Sequence, residues 1–408
     1  MQRVRMSLPY FAEYGWVAEV VMVDERYTDI AQDALLLQSV PVHIKMHKVA
    51  AFSKKNTAKI GLGSLSIRSL WFYKRYVDKL LRREKFDLIY FSTTQFPVCI
   101  LGAYWKKRFG VPYVIDMQDP WHSPYYGDKP KNQRPPKYWF SYRLNKYLEP
   151  IAMKHTDGLI SVSGAYIDQF KLRYPSIKKV PALVITFGAF APDLQIAKDN
   201  SMLFERLLSS QFTNIVYIGR GGNDMHTAIR PVFEAFRRSL DLQPERFSKV
   251  RFHFIGTSYA PAGQGKATIL PLAKQLGIEN YVSETTERIS YYHTLLTLQQ
   301  ADALFIPGSD DPQYTASKIF PYLLTAKPVL AVFNKASSAI PIIQEYGVQH
   351  VYSYDEVSEA DLLVFFDQLI GDGFNHIAYN ADAVKKHSAV EMTRAQCHLF
   401  DQTINAGH

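Results

Sequence analysis

The chain has 408 residues and a net charge of +9, longer than one hydrophobic core usually serves, so two α/β domains are expected. Hydrophobic residues make up 47% and charged residues 21%, which excludes a disordered or fibrous chain. The longest apolar run, Phe96 to Trp105, is half of what a membrane span needs, and Cys99 and Cys397 alone support neither a disulfide framework nor a zinc site, so a cytoplasmic protein with two buried structural cysteines is expected.

In chain order, short β-branched or aromatic runs give way repeatedly to longer amphipathic segments, the pattern of parallel sheets with crossover helices. Strands are expected near Val17–Val23, Val42–Met46, Leu88–Ser92, Pro112–Asp116, Gly158–Val162 and Ala182–Thr186 in the first half. In the second half they fall near Asn214–Gly219, Val250–Gly256, Asn280–Ser283, Ala303–Ile306, Pro328–Val332 and His350–Ser353. The segment Leu65 to Arg83 has helical spacing, with Leu70, Phe72, Tyr73, Tyr76, Val77, Leu80 and Leu81 on one stripe. From Lys54 to Lys85 ten basic residues, Arg68 among them, stand against Asp78 and Glu84 alone and are expected on the other face of that helix and its flanks, and a second basic knot follows at Lys106 to Arg108. Such a helix is either a solvated outer helix of an α/β domain or a contact for an anionic membrane surface or a nucleic acid.

Asp116 and Asp119 follow an apolar strand, and His122 comes just after Trp121. Carboxylates and an imidazole at a strand's carboxyl end suit proton transfer to or from a hydroxyl, so these three are candidate catalytic residues. A cap or Asx-turn before Pro120 is the structural alternative for Asp119, and a surface loop for His122. No third ligand is identifiable from the spacing, and no metal is expected.

The stretch from Gly188 to Ser201 lacks a clear period and is taken as the domain boundary. The expected domains are residues 1–195, residues 196–380, and a C-terminal segment, residues 381–408, whose long helix Asp382 to Ile404 packs back across both halves. Ile215 to Gly222 leaves a strand, turns through Gly219, Gly221 and Gly222 and enters a helix near Met225, so backbone N–H groups and Arg220 are expected to face a phosphate. A tight βα connection explains the glycines but not an arginine inside the turn. A second site of the same kind runs from Ile306 to Tyr322, with Thr315 as helix N-cap, Ser317 and Lys318 in the first turn, and Pro321 tolerated near the helix start.

Taken together, Tyr314 to Leu323 with Lys327-Pro328, Val216 to Gly222, Phe254 to Thr257, Asp116 to Trp121, Ser161 to Tyr166 and Thr186 to Gly188 resemble the family 4, group 1 glycosyltransferases across nearly the whole chain. The resemblance implies a GT-B fold, in which two Rossmann-like domains face each other across a cleft. It also implies transfer of a sugar from a nucleotide-sugar donor to an acceptor hydroxyl, with retention and without a cofactor. By the same resemblance the C-terminal domain holds the donor and the N-terminal domain the acceptor. Arg220 corresponds to the family's phosphate-binding arginine, and Lys318 lies near the diphosphate. Where the family often has a basic residue after that arginine, this chain has Asn223 to His226. Gln313 and Pro321 stand at the positions of two family glutamates; Gln313 keeps hydrogen-bonding capacity, and Glu287, Asp310 or Asp311 are candidates for the missing hydroxyl contacts.

Family members begin with a strand before the segment matching Gln2 to Phe11, so the N-terminal domain is expected to lack its first strand and to be of low stability. The expected partners are a nucleotide-sugar donor, a glycan or lipid-linked acceptor in polysaccharide or lipopolysaccharide synthesis, and an anionic membrane surface on the cytoplasmic side. A non-catalytic sugar-nucleotide-binding or scaffold protein is the second reading. A DNA-modifying sugar transferase is the third, though no nucleic-acid partner is expected because no reading element accompanies the basic patch.

Overall fold

The computed structural model describes residues 2–28, 33–58, 62–119, 121–122, 138–261, 263–310, 319–371, 373–374 and 379–405. It divides into two compact units, residues 1–188 with 389–408, and residues 189–388.

The first unit runs α1 (Gln2–Ser7), β1 (Glu19–Val23), β2 (Lys45–Val49), α2 (Lys54–Thr57), α3 (Leu65–Arg83), β3 (Ile89–Ser92), α4 (Ile100–Phe109), β4 (Tyr113–Met117), α5 (Tyr138–Met153), β5 (Gly158–Ser161), α6 (Gly164–Arg173) and β6 (Ala182–Val184). All pairs are parallel, in two separate ladders, β1–β2 and β3–β4–β5–β6. Strand β4 is buried along its whole length, as expected where helices cover a parallel sheet. Gly102 lets α4 lie on it, since a Cβ there would come within 2.5 Å of the Tyr113 ring.

Helix α3 has the bounds its spacing predicts, but its polar residues do not all face solvent. Arg68 is buried and donates to the carbonyls of Phe52, Tyr27 and Gly63 at 2.6, 3.0 and 3.2 Å, so it closes the preceding loop instead of joining the basic face. Asp78 is buried too, accepting from Trp105 Nε1 and Tyr104 Oη at 3.0 Å each, which joins α3 to α4. A buried carboxylate needs such donors to offset its lost hydration.

The second unit runs α7 (Pro192–Asp199), β7 (Thr213–Ile218), α8 (His226–Leu242), α9 (Pro244–Phe247), β8 (Val250–Ile255), α10 (Leu270–Gln275), β9 (Val282–Thr285), α11 (Tyr291–Gln300), β10 (Ala303–Pro307), α12 (Ile319–Leu324), β11 (Val329–Phe333), α13 (Ala339–Glu345), β12 (His350–Ser353), α14 (Glu359–Ile370) and α15 (Ala381–Lys386). Its parallel sheet has the order β12-β11-β10-β7-β8-β9. Helix α8 buries Ala228, Ile229, Val232, Phe233, Ala235, Phe236 and Leu240, a three-and-four spacing that lays one apolar face on the sheet.

The expected strands are all present, with ends displaced by a few residues. Cys99 and Cys397 are buried and free. Two readings are corrected. The stretch expected to be irregular contains α7, where Pro192 sits at the first helical position and Asp193 is buried, accepting from Tyr291 and Tyr292 at 2.8 and 2.9 Å. The expected single terminal helix is two, because the chain breaks at His387 and Ser388, where the Ala189 amide donates to the His387 carbonyl at 2.7 Å. Helix α15 belongs to the second unit, and α16 (Ala389–Asn405) to the first.

Candidate active site

In the second unit β7 comes first in the chain, yet β8 and β9 lie to one side of it and β10, β11 and β12 to the other. The connections leaving β7 and β10 therefore run in opposite directions, and the crevice between their carboxyl ends is where open α/β sheets bind ligands. Both glycine-containing turns fall there: Gly219 to Gly222 after β7, and Gly308 to Asp310 after β10.

Asp224 ties the two turns together. It accepts from Arg220 Nη1 at 3.1 Å and from Nη2, and from Ser309 Oγ at 2.7 Å, while its carbonyl accepts the Asp310 amide at 2.9 Å. The Arg220 guanidinium is the leading cause that lowers the Asp224 carboxyl below the usual range, so both are charged at neutral pH. A Cβ at Gly222 would stand 2.1 Å from Asp224 Oδ1, so only glycine lets the carboxylate fold back. Helix α12 is anchored at the same place: Tyr322 Oη accepts the Ile218 amide at 2.7 Å and donates to the Ile218 carbonyl at 3.0 Å.

The amides of Gly219 and Gly221 do not face a ligand as expected. They donate to the carbonyls of Ile255 and Thr257 at 3.0 and 2.8 Å, extending the β7–β8 ladder. Glycine is needed at both for close approach, to Tyr217 at one and Thr257 at the other. Arg220 is thus a side-chain donor that this turn brings to the crevice. His226, at the start of α8, meets the Thr268 carbonyl at 2.8 Å. Glu287 is exposed in the loop after β9, where Thr286 Oγ1 donates to it at 3.0 Å, and Asp310 is exposed beside Ser309. Asp311, Gln313, Thr315, Ser317 and Lys318 lie outside the described residues.

In the first unit the residues expected to be catalytic divide by burial. Asp116 is fully buried at the end of β4 in an ion pair with the equally buried Arg3, Nε to Oδ2 2.8 Å. The same oxygen accepts from Ser92, Gln118 and Tyr90 at 2.7, 2.8 and 3.2 Å. Arg3 also donates to the carbonyls of Ile185 and Thr186 at 2.8 and 3.1 Å. A carboxylate engaged in this way supports the ends of β3, β4 and β6, and is not placed as a base at an open site. Asp119 is exposed in the bend beyond β4.

His122 is half-buried with its ring 4.6 Å from that of Tyr142. Arg173 Nη1 lies 3.3 Å from its Nδ1 and also bonds the buried Glu149, which accepts from Tyr174 Oη at 2.6 Å. Burial first, and Arg173 after it, lower the His122 imidazole below its usual value. A neutral His122 is the result. Beside it, at the carboxyl ends of β3 and β4, lies a cavity of about 350 Å³ with Ile67, Phe96, Trp121 and Leu144 as apolar walls and Ser66, Gln95 and Asn145 as polar ones. The Phe96 and Trp121 rings stack at 5.6 Å, and Trp121 donates to Asn145 at 3.2 Å.

Sequence reading missed Arg3, Asp224, Ser309 and Arg173. Only Asp224 left a signal, its spacing of four from Arg220.

The family model described as Glycosyltransferase Family 4 matches residues 50–186. No curated protein matches the chain. Among solved structures, HepE of Anabaena in complex with UDP-glucose has a TM-score of 0.54 at 16% identity, covering 99% of this chain and 96% of that one. A glycosyltransferase from Rickettsia africae has a TM-score of 0.53 at 10% identity, covering 99% and 94%. The N-terminal domain of trehalose-6-phosphate phosphatase from Candida albicans has a TM-score of 0.56 at 10% identity, covering 97% and 94%. At these identities the likeness shows the fold, GT-B with its two Rossmann-like domains.

Proposed function

We propose that this chain, a GT-B glycosyltransferase of the family 4, group 1 type, moves a sugar from a nucleoside-diphosphate donor to the hydroxyl of a glycan or lipid-linked acceptor in polysaccharide or lipopolysaccharide synthesis. The observation that carries the reading is Arg220 at the switch point of the second unit, the place where a diphosphate would meet a fixed cation at the ends of β7 and β10. HepE binds UDP-glucose, which supports a nucleotide sugar as donor.

In the transfer the bond from the anomeric carbon to the diphosphate oxygen breaks, a bond to the acceptor oxygen forms, and the acceptor's proton passes to the departing diphosphate. Arg220, with Lys318, stabilises the charge that grows on the departing diphosphate. Retention of the anomeric configuration is part of the proposal. Asp119 and His122 are assigned to the acceptor side, with Asp116 as their support. The cavity beside Trp121 offers an aromatic face and planar amides, which suit a sugar ring. The outer surface of α3 is assigned to an anionic membrane, where a lipid-linked acceptor would be met.

The test is thermal denaturation of the full chain against a panel of nucleotide sugars and free nucleotides, since a ligand that binds only the folded state raises the melting temperature. One nucleotide sugar should raise it selectively, and Arg220→Ala and Lys318→Ala should abolish the shift. A panel without any shift overturns the reading.

A further inference from the structure

We propose that the outer faces of α3, α4 and α5 together form a docking surface for an anionic lipid bilayer, with Trp71, Trp139 and Tyr147 entering the headgroup layer. The proposal deepens the transferase reading, on which it rests for its purpose, and extends the membrane contact from one helix to three.

The three helices are neighbours, because α4 packs against both α3 and α5. At the first joint, Lys74 of α3 and Arg108 of α4 both approach the Tyr104 ring, 4.4 and 5.8 Å from its centroid. Their outward residues therefore stand on adjoining helices of one unit. On α3 the exposed residues are Trp71, Arg75, Lys79, Arg82 and Arg83, and on α4 they are Lys107 and Arg108. On α5 they are Trp139, Arg143, Lys146 and Tyr147, with Ser141 and Ile151. No carboxylate is among them. The acids of these helices, Asp78 and Glu149, are 5% and 0% exposed. Asp78 reaches Lys74 and Arg82 at 3.3 and 3.9 Å, so on α3 the positive face rests on Arg75, Lys79 and Arg83.

Charge alone marks many outer helices, and the aromatic residues separate this face from those. Trp139 and Tyr147 are 64% and 71% exposed, and with Arg143 and Ile151 they follow a spacing of four that puts them on one line along α5. Guanidinium groups accompany both tryptophans: Arg75 lies 5.3 Å from the Trp71 ring and Arg143 lies 5.5 Å from Trp139. Phe52, also exposed, extends the patch beside Trp71 with ring centroids 6.2 Å apart. Interfacial aromatic rings with cations beside them match a layer of acyl carbon under phosphate. A nucleic acid would take the charge but gain little from Ile151 and from rings standing on helix crests. Among the described residues no helix is long and apolar enough to cross a membrane, so the contact is with its surface.

The test is co-sedimentation of the full chain with vesicles of phosphatidylcholine alone and of phosphatidylcholine mixed with phosphatidylglycerol. Binding should require the anionic lipid and weaken as salt rises. Arg75→Ala, Lys79→Ala and Lys146→Ala should each lower partitioning about fivefold. Trp71→Ala, Trp139→Ala and Tyr147→Ala should remove the binding that persists at high salt, with thermal melts unchanged. Equal binding to both vesicles, aromatic variants that bind like the parent, or duplex DNA that displaces the vesicles would each overturn the proposal. The nucleotide-sugar melting shift, read on the same samples, separates the two readings: a shift without vesicle binding sinks only the docking surface, and vesicle binding without a shift sinks only the transfer.

Discussion

The Arg220 guanidinium forks onto the Asp224 carboxylate, so the cation proposed to meet a diphosphate is already held by an acid four residues on. Both side chains remain partly exposed, 26% and 30%, so a ligand can compete for the arginine without opening the core. In the proposed donor complex Asp224 would repel the diphosphate that Arg220 attracts. Asp224→Asn should therefore tighten donor binding about fivefold, the effect of removing roughly 1 kcal/mol of screened repulsion. Calorimetric titration of donor into the two proteins measures this, and weaker binding in the variant would mean that Asp224 holds Arg220 ready instead of opposing the ligand.

The pair Arg3–Asp116 carries a different expectation, because both side chains are wholly out of solvent. Removing one partner leaves a buried charge uncompensated, so Arg3→Ala should lower the stability of the first unit by about 3–5 kcal/mol. Donor affinity should stay as it is, since the donor is assigned to the other unit. Chemical denaturation alongside donor titration separates the two effects; a variant as stable as the parent would show that the pair is dispensable.

A guanidinium can only donate, so the contact of Arg173 with His122 Nδ1 makes that nitrogen the acceptor and places the imidazole hydrogen on Nε2. Nε2 is buried and has no partner among the described residues. Nitrogen NMR should report the Nε2–H tautomer of neutral His122. The double variant Glu149→Gln with Arg173→Gln keeps the neighbouring pair neutral and should relax that preference; an Nδ1–H tautomer in the parent protein contradicts the assignment.

Burial, followed by the Arg251 charge, holds His253 down to about 4, between Asn214 Oδ1 at 3.0 Å and Ser283 Oγ at 2.9 Å. The unfolded chain takes up this proton near pH 6.5, whereas the folded chain resists it down to pH 4. The unfolded state therefore binds more protons in this window, and the stability present above pH 6.5 falls as the pH drops, by roughly 3 kcal/mol in all. His253→Gln should flatten the profile of melting temperature against pH between these values. A variant with an unchanged profile would place the acid sensitivity elsewhere.

Much of this fold is legible where one element decides its own fate. Strands β10 and β11 are short continuous apolar runs, and α3 has the bounds its spacing implies. What escaped depends on partners far away in the chain. Pro192 and Asp193 look like a turn until Tyr291 and Tyr292 are seen to satisfy the aspartate inside a helix. Arg68 reads as part of a basic face, yet three carbonyls draw it inside. The same limit applies at the site. The glycines after β7 announce a tight turn, but whether their amides meet a phosphate or a neighbouring strand is decided by β8, and Asp116 becomes a support only because Arg3 reaches it.

The most direct measurement of the central claim is release of nucleoside diphosphate from a panel of nucleotide sugars, followed for the full chain and for Arg220→Ala. Release is expected from one donor sugar class, slowed about tenfold or more in the variant. Release that is undetectable with every donor, or equally fast without Arg220, would contradict it.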